Sequence, residues 1–196
     1  MTDTIKNIIQ ASIHTKQSLL SDELTLQTIY DCVELITASF KNGNKLLFCG
    51  NGGSAADAQH LAAELSGRFY KDRACLPAEA LHVNSSYLTA VANDHGFDLV
   101  YSRLLSGIGK KGDVLFALST SGNSTNIINA ISMAKKLGMI CIGLSGATAG
   151  KMNGICDHLI KVPSNDPARI QETHILIGHI ICQLVEEKYF TNTLSQ

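Results

Sequence analysis

The sequence predicts an α/β fold: a parallel sheet with helices on both faces, preceded by a helical extension. Three features predict it. Five short apolar runs recur at 45–49 ("KLLFC"), 78–83 ("AEALHV"), 113–118 ("DVLFAL"), 139–144 ("MICIGL") and 157–162 ("DHLIKV"). Helical spacing fills the gaps between them, so the strands are joined by crossovers and pair in parallel. Residues 3–41 show helical periodicity alone.

The elements follow in order. Ile5, Ile8, Ile9 and Ile13 form one apolar stripe; Leu26, Ile29, Tyr30, Val33, Ile36 and Phe40 form another, which gives two N-terminal helices. "LLSDELT" divides them, Ser21 or Asp22 can cap the second, and Gly43 ends it. Further helices are expected near 54–66, 86–92, 97–108 and 124–137. The last runs from Pro167 to Tyr189, with proline in the first turn, where a missing N–H is harmless. The chain thus divides into a helical segment, 1–42, and an α/β domain, 43–190.

Composition narrows the function. A length of 196 residues with 45% hydrophobic content supports one domain with a sizeable core. The net charge of −1, without a block of like charge, argues against nucleic-acid binding. No apolar run approaches the ~18 residues of a membrane span. The start, "MTDTIKNIIQASIHTK", lacks a secretory pattern. The six cysteines, at 32, 49, 75, 141, 156 and 182, form no CxxC pair and read as free, buried thiols of a reducing cytoplasm.

Ligands of open parallel sheets bind beyond the carboxyl ends of the strands. Two polar loops are expected there. "LSTSGNSTNI" places Ser119, Thr120, Ser121, Ser124 and Thr125 at a helix start, where free N–H groups and the dipole favour an anion. Capping alone would explain one hydroxyl, not five within seven positions. Without lysine the loop is no P-loop. "GNGGSAAD" fails the dinucleotide fingerprint, since Ala55 replaces the third glycine and His82 stands where an acid is needed, but such a loop can bring backbone close to a sugar.

Two polar sets interrupt apolar helices. Asp57, His60 and Glu64 share a face, as a hydrated stripe, a metal site or an acid and base. Gln171, His174 and His179 interrupt the final helix, and His179, within "ILIGHIIC", reads as a buried histidine or a ligand. Gln171 and His179 are eight residues apart, about 12 Å along a helix, so only a group between them, or a second subunit, would unite them. Two histidines, a carboxylate and an amide oxygen make a plausible zinc set, although glutamine is a rare zinc ligand.

Together, "CGNGGSAADAQHLAAELSGR", "ANDHGF", "STSGNS" and "ARIQETHILIGHIICQLVEE" resemble the phosphoheptose isomerase family of the sugar-isomerase (SIS) fold, over nearly the whole chain. The resemblance implies an SIS-type five-stranded parallel sheet over 43–190, with 1–42 packing on the core and on neighbouring subunits of a cytoplasmic homotetramer whose active sites lie between subunits. It implies isomerisation of a phosphorylated seven-carbon sugar, sedoheptulose 7-phosphate, to D-glycero-D-manno-heptose 7-phosphate through an enediol. That reaction opens bacterial heptose synthesis for lipopolysaccharide. The resemblance also implies one zinc ion per subunit.

Carried over by position, the metal ligands are His60, Glu64, Gln171 and His179. Sugar contacts fall on Asn51, Gly52, Gly53, Asn93 and Asp94, with Glu64 and Gln171 also facing substrate, and the phosphate loop on Ser119, Thr120, Ser121 and Ser124. Glu64 is the expected base, and His179 exchanges protons with the sugar oxygens or assists ring opening. Ala168 departs from members with Asp there, and Asp166 stands close by. A family relative that associates with a replication initiator lacks the glutamate and the final histidine; both are present here. Regulatory SIS sensors carry a DNA-binding domain, and no basic segment is attached to this chain.

Overall fold

The strands need no alternation of polar and apolar residues, because the sheet is covered on both faces. In the computed structural model, which describes residues 1–191, they are β1 (Leu46–Cys49), β2 (Ala78–Ala80), β3 (Val114–Leu118), β4 (Ile140–Ser145) and β5 (His158–Lys161). All pair in parallel, in the order β2-β1-β3-β4-β5. Alternate side chains enter opposite cores. Leu46, Phe48, Val114 and Phe116 join one apolar cluster; Leu47, Cys49, Leu115 and Ala117 join the other. Phe48 and Phe116, opposite each other in register, bring their ring centroids to 5.3 Å.

The helices are α1 (Thr2–Leu20), α2 (Glu23–Lys41), α3 (Gly53–Ser66), α4 (Ser85–His95), α5 (Val100–Ile108), α6 (Thr125–Lys136) and α7 (Pro167–Phe190). Helices α2, α3 and α7 supply the first cluster; α4, α5 and α6 supply the second. Of the two candidate caps of α2, Asp22 is the one used: its carboxylate accepts from Thr25 N at 3.1 Å and Thr25 Oγ1 at 2.7 Å. Helix α7 has Pro167 in its first turn and Asp166 as its cap.

The expected elements are all present, with three adjustments. The run 78–83 keeps strand geometry only to Ala80; Leu81 is buried and still donates its N–H to the Phe48 carbonyl of β1 at 2.9 Å, and the chain turns from there. The 97–108 segment splits into a 3-10 turn, Phe97–Leu99, and α5, after Gly96 breaks the chain at φ 87°. Helix α1 leaves its isoleucine stripe uncovered: Ile5, Ile8, Ile9 and Ile13 are all exposed. Its last turns dock through buried Thr15 and Leu19, and Ser12 donates to Glu172 of α7 at 2.7 Å.

All six cysteines are free. Four are buried, as expected, but Cys75 is exposed and Cys156 only half-buried. Burial pushes the thiols of Cys32, Cys141 and Cys182 up to about 12. Among the described residues, no helix is long and apolar enough to cross a membrane.

Strand order reverses between β1 and β3, whose neighbours lie on opposite sides. The loops leaving these two strands therefore meet at a switch point, the usual ligand position of an open parallel sheet.

Candidate functional site

The loop after β1 is shaped by its glycines. Gly52 has φ 54°, and a Cβ on Gly50 would lie 2.3 Å from the carbonyl oxygen of Ser54. Asn51, between them, exchanges two hydrogen bonds with Asn126 in the first turn of α6: Asn51 Nδ2 donates to Oδ1 at 2.9 Å, and Asn126 Nδ2 donates back at 2.8 Å. Tyr101 Oη donates to the carbonyl of Gly50. Sequence reasoning missed both partners; the available signal was an asparagine at a buried helical position.

The loop after β3 holds its hydroxyls close together. Ser119 is buried, with its Oγ 3.2 Å from Oγ of Ser124. Ser124 is the N-cap of α6, yet its side chain makes no capping bond. The hydroxyl is thus not consumed by capping, and the first-turn N–H groups face the same loop. Ser121 Oγ accepts from Asn123 N at 3.2 Å. Thr120, Ser121, Asn123, Thr148, Asn165 and Ile170 line a cleft of about 250 Å³ beside it. Gly122 is required here: a Cβ would lie 1.9 Å from the carbonyl oxygen of Ala149.

The third part lies between α3 and α7, which run parallel. Gly178 meets Leu61 so closely that a Cβ would approach Leu61 Cδ1 to 2.4 Å. This contact brings the next residue, His179, beside His60. Their Nε2 atoms are 2.9 Å apart, and His60 Nε2 is 3.0 Å from Glu64 Oε1. One ligand atom from each of His60, Glu64 and His179 lies within 4.8 Å of the others. Burial lowers the pKa of His179, as does nearby His60, while Glu64 opposes them. Asp57, one turn before His60, has a half-buried carboxyl that burial pushes up to about 6, against the pull of His60; its Oδ2 has no partner.

The expected metal set is thus gathered in part. Gln171 packs on the glycine loop, where a Cβ at Gly53 would be 2.7 Å from its Nε2. Gly53 is seven residues from His60, about 10 Å along α3. The buried histidine of α7 is His174, at 0% exposure, and not His179, which is partly open to solvent. His174 pairs through Nε2 with the Ser145 carbonyl at 3.2 Å. Asn93 and Asp94 stand exposed at the end of α4, joined to each other at 2.9 Å.

Two imidazoles and a carboxylate converging on one point fit a zinc-type ion, which takes nitrogen and oxygen ligands at about 2.0–2.2 Å. A hydroxyl-rich helix start fits a phosphate. The SIS domain family matches residues 11–146. Phosphoheptose isomerase of Aneurinibacillus thermoaerophilus is 53% identical over 192 residues, covering 98% of this chain and 97% of that protein. Phosphoheptose isomerase 2 of Campylobacter jejuni is 50% identical over 186 residues, covering 95% and 92%. The solved structure of the phosphoheptose isomerase from Neisseria gonorrhoeae superposes with a TM-score of 0.89 at 40% identity, covering 95% and 98%.

The chain is therefore an SIS-domain protein. Within that class it belongs to the phosphoheptose isomerase family.

Proposed function

We propose that this chain isomerises sedoheptulose 7-phosphate to D-glycero-D-manno-heptose 7-phosphate. The observation that carries the reading is the meeting of Glu64, His60 and His179 across the α3–α7 contact. Family membership and the hydroxyl loop support it.

The hydroxyls of Ser119, Thr120, Ser121 and Ser124, with the N-terminus of α6, hold the phosphate. Asn51, Gly52 and Gly53 place the sugar, and Asn93, Asp94 and Gln171 belong to the proposed contact set. Glu64 Oε1 faces His60, so Oε2 is the atom assigned to proton transfer. It removes the proton from the carbon beside the carbonyl and returns it to the former carbonyl carbon, through an enediol. His179 is assigned to moving protons between the sugar oxygens, since an imidazole titrates near neutrality. His60, Glu64 and His179 would hold a zinc ion, with Gln171 as the further member of the proposed set. Bound there, zinc supplies polarisation of the carbonyl and stabilisation of negative charge on oxygen.

A cytoplasmic homotetramer completes the proposal. The uncovered isoleucine stripe on α1 supports association between copies.

Glu64→Gln tests the base. It keeps the size of the side chain and removes its capacity to accept a proton. The expected loss in kcat is about 10²–10⁴-fold. A rate near that of the unmodified chain contradicts the assignment.

A further inference from the structure

The segment 67–75, between α3 and β2, has neither helix nor strand, yet it is held firmly. One buried carboxylate on α7 holds it. Glu186 is 1% exposed. Its Oε1 accepts from Phe69 N at 3.1 Å and Arg73 Nε at 2.8 Å; its Oε2 accepts from Tyr70 N and Lys71 N, both at 2.9 Å. Arg73 spends its other donors on this segment and on the last turn of α3. Nη1 donates to the carbonyls of Leu65 at 2.7 Å, Gly67 at 2.9 Å and Ala74 at 3.0 Å. Nη2 donates to the carbonyl of Glu64 at 2.9 Å.

Burial alone would raise the carboxyl pKa of Glu186; the three backbone N–H groups and Arg73 outweigh it and hold the value below the usual range. The group is therefore a fully satisfied anion. An apolar pair of similar volume commonly stabilises a fold as well as a buried ion pair does, so stability alone does not account for this one. What distinguishes it is what it positions. Phe69, whose N–H it binds, packs its ring against His179, with centroids 5.6 Å apart and planes at 36°. The ring of His60 lies against His179 at 5.1 Å and 62°. His179 is thus confined between two rings, with Nε2 aimed at His60 and Glu64. The carbonyl of Glu64 is pinned by the same arginine.

We propose that Glu186 and Arg73 are positioning residues for the isomerisation, acting through Phe69 on His179 and through the backbone of Glu64. The proposal rests on the isomerase reading of that cluster. Its ligand-free prediction is geometric: without the Phe69 ring, His179 turns more freely and the three donor atoms no longer converge.

Phe69→Leu tests this, because it removes the ring and leaves every backbone donor to Glu186. Four quantities are measured on the full chain: zinc affinity, by competition with a chromophoric chelator and no sugar present; kcat and KM for sedoheptulose 7-phosphate; and the melting temperature. Expected are a ten- to hundredfold weaker zinc affinity and a similar loss in kcat, on the order typical of groups that orient metal-bound histidines. KM should stay within about twofold, and Phe69→Tyr, which keeps the ring, should restore both zinc affinity and kcat. Glu186→Gln should show the same split wherever it folds; if it does not fold, the Phe69 pair decides. Zinc affinity and kcat unchanged in Phe69→Leu, or lost equally in Phe69→Tyr, overturn the proposal. An inactive wild type whose zinc affinity still depends on the Phe69 ring would sink the isomerase reading but not the positioning. A wild type with neither activity nor zinc binding removes both.

Discussion

Gly178 of α7 lies against Leu61 of α3 with no room for a Cβ, and the flanking residues, His179 and His60, meet as a result. Gly178→Ala weighs two effects. Alanine improves helix propensity by up to about 1 kcal/mol. Overpacking against a fully buried leucine costs about 1–3 kcal/mol. The net expectation is destabilisation by roughly 1–2 kcal/mol in chemical denaturation. Turnover should fall further than that loss explains, because the helices part where the donor atoms converge. Unchanged activity and stability would show that Leu61 yields freely.

His174 sets a pH dependence of stability. It is fully buried, and burial lowers its pKa to about 4 against the partial opposition of the Ser145 carbonyl. Above pH 6.5 it is neutral both folded and unfolded. Between 6.5 and about 4 the unfolded chain takes up a proton that the folded chain refuses, so stability is lost as the pH drops through this range. The full effect is on the order of 3 kcal/mol. The difference in unfolding free energy between wild type and His174→Gln, followed from pH 7 down to 4, isolates it from the carboxylates. Parallel pH profiles would refute this origin.

Asn126 supports, at one remove, the loop proposed to place the sugar. Asn126→Leu removes both bonds to the Asn51 amide. Asn51 is half-buried, so losing both bonds should cost about 1 kcal/mol, part of it as a raised KM. Steady-state kinetics on the purified variant, with KM unchanged, would free the loop from this pair.

The loop proposed to hold the phosphate makes a graded prediction. Ser119→Ala, Ser121→Ala and Ser124→Ala each remove a neutral donor worth about 0.5–1.5 kcal/mol, a two- to twelvefold rise in KM. If all three leave KM unchanged, the phosphate is held elsewhere.

The central strands were legible because a sheet buried on both faces writes them as unbroken apolar runs, as in "LLFC" of β1, while the edge strands β2 and β5 carry the exposed Glu79 and Lys161. The same rule overextended β2, since Leu81 stays buried and keeps one bond to β1 while the chain turns there. The two loops were legible from local chemistry. What united the site was not, because it depends on the contact of two distant helices. His174 and His179 stand five residues apart in one apolar helix, about 140° around its axis. Periodicity alone does not say which of them meets the sheet and which meets α3. Glu186 lies in "QLVEEKY", near the end of the helix, where a charged pair reads as a solvated surface until Arg73 is found beside it.

In the proposed function, the residues gathered by α3 and α7 convert a seven-carbon sugar phosphate with the help of a bound metal ion. The most direct measurement is incubation of the chain with sedoheptulose 7-phosphate, following the aldose product, before and after a chelator and again after zinc is returned. The account predicts D-glycero-D-manno-heptose 7-phosphate from the untreated protein, loss of product on chelation with a lower melting temperature, and recovery of both with zinc; a metal site at a hundredfold excess over its dissociation constant adds about 2.7 kcal/mol. No aldose product under any metal condition would contradict it.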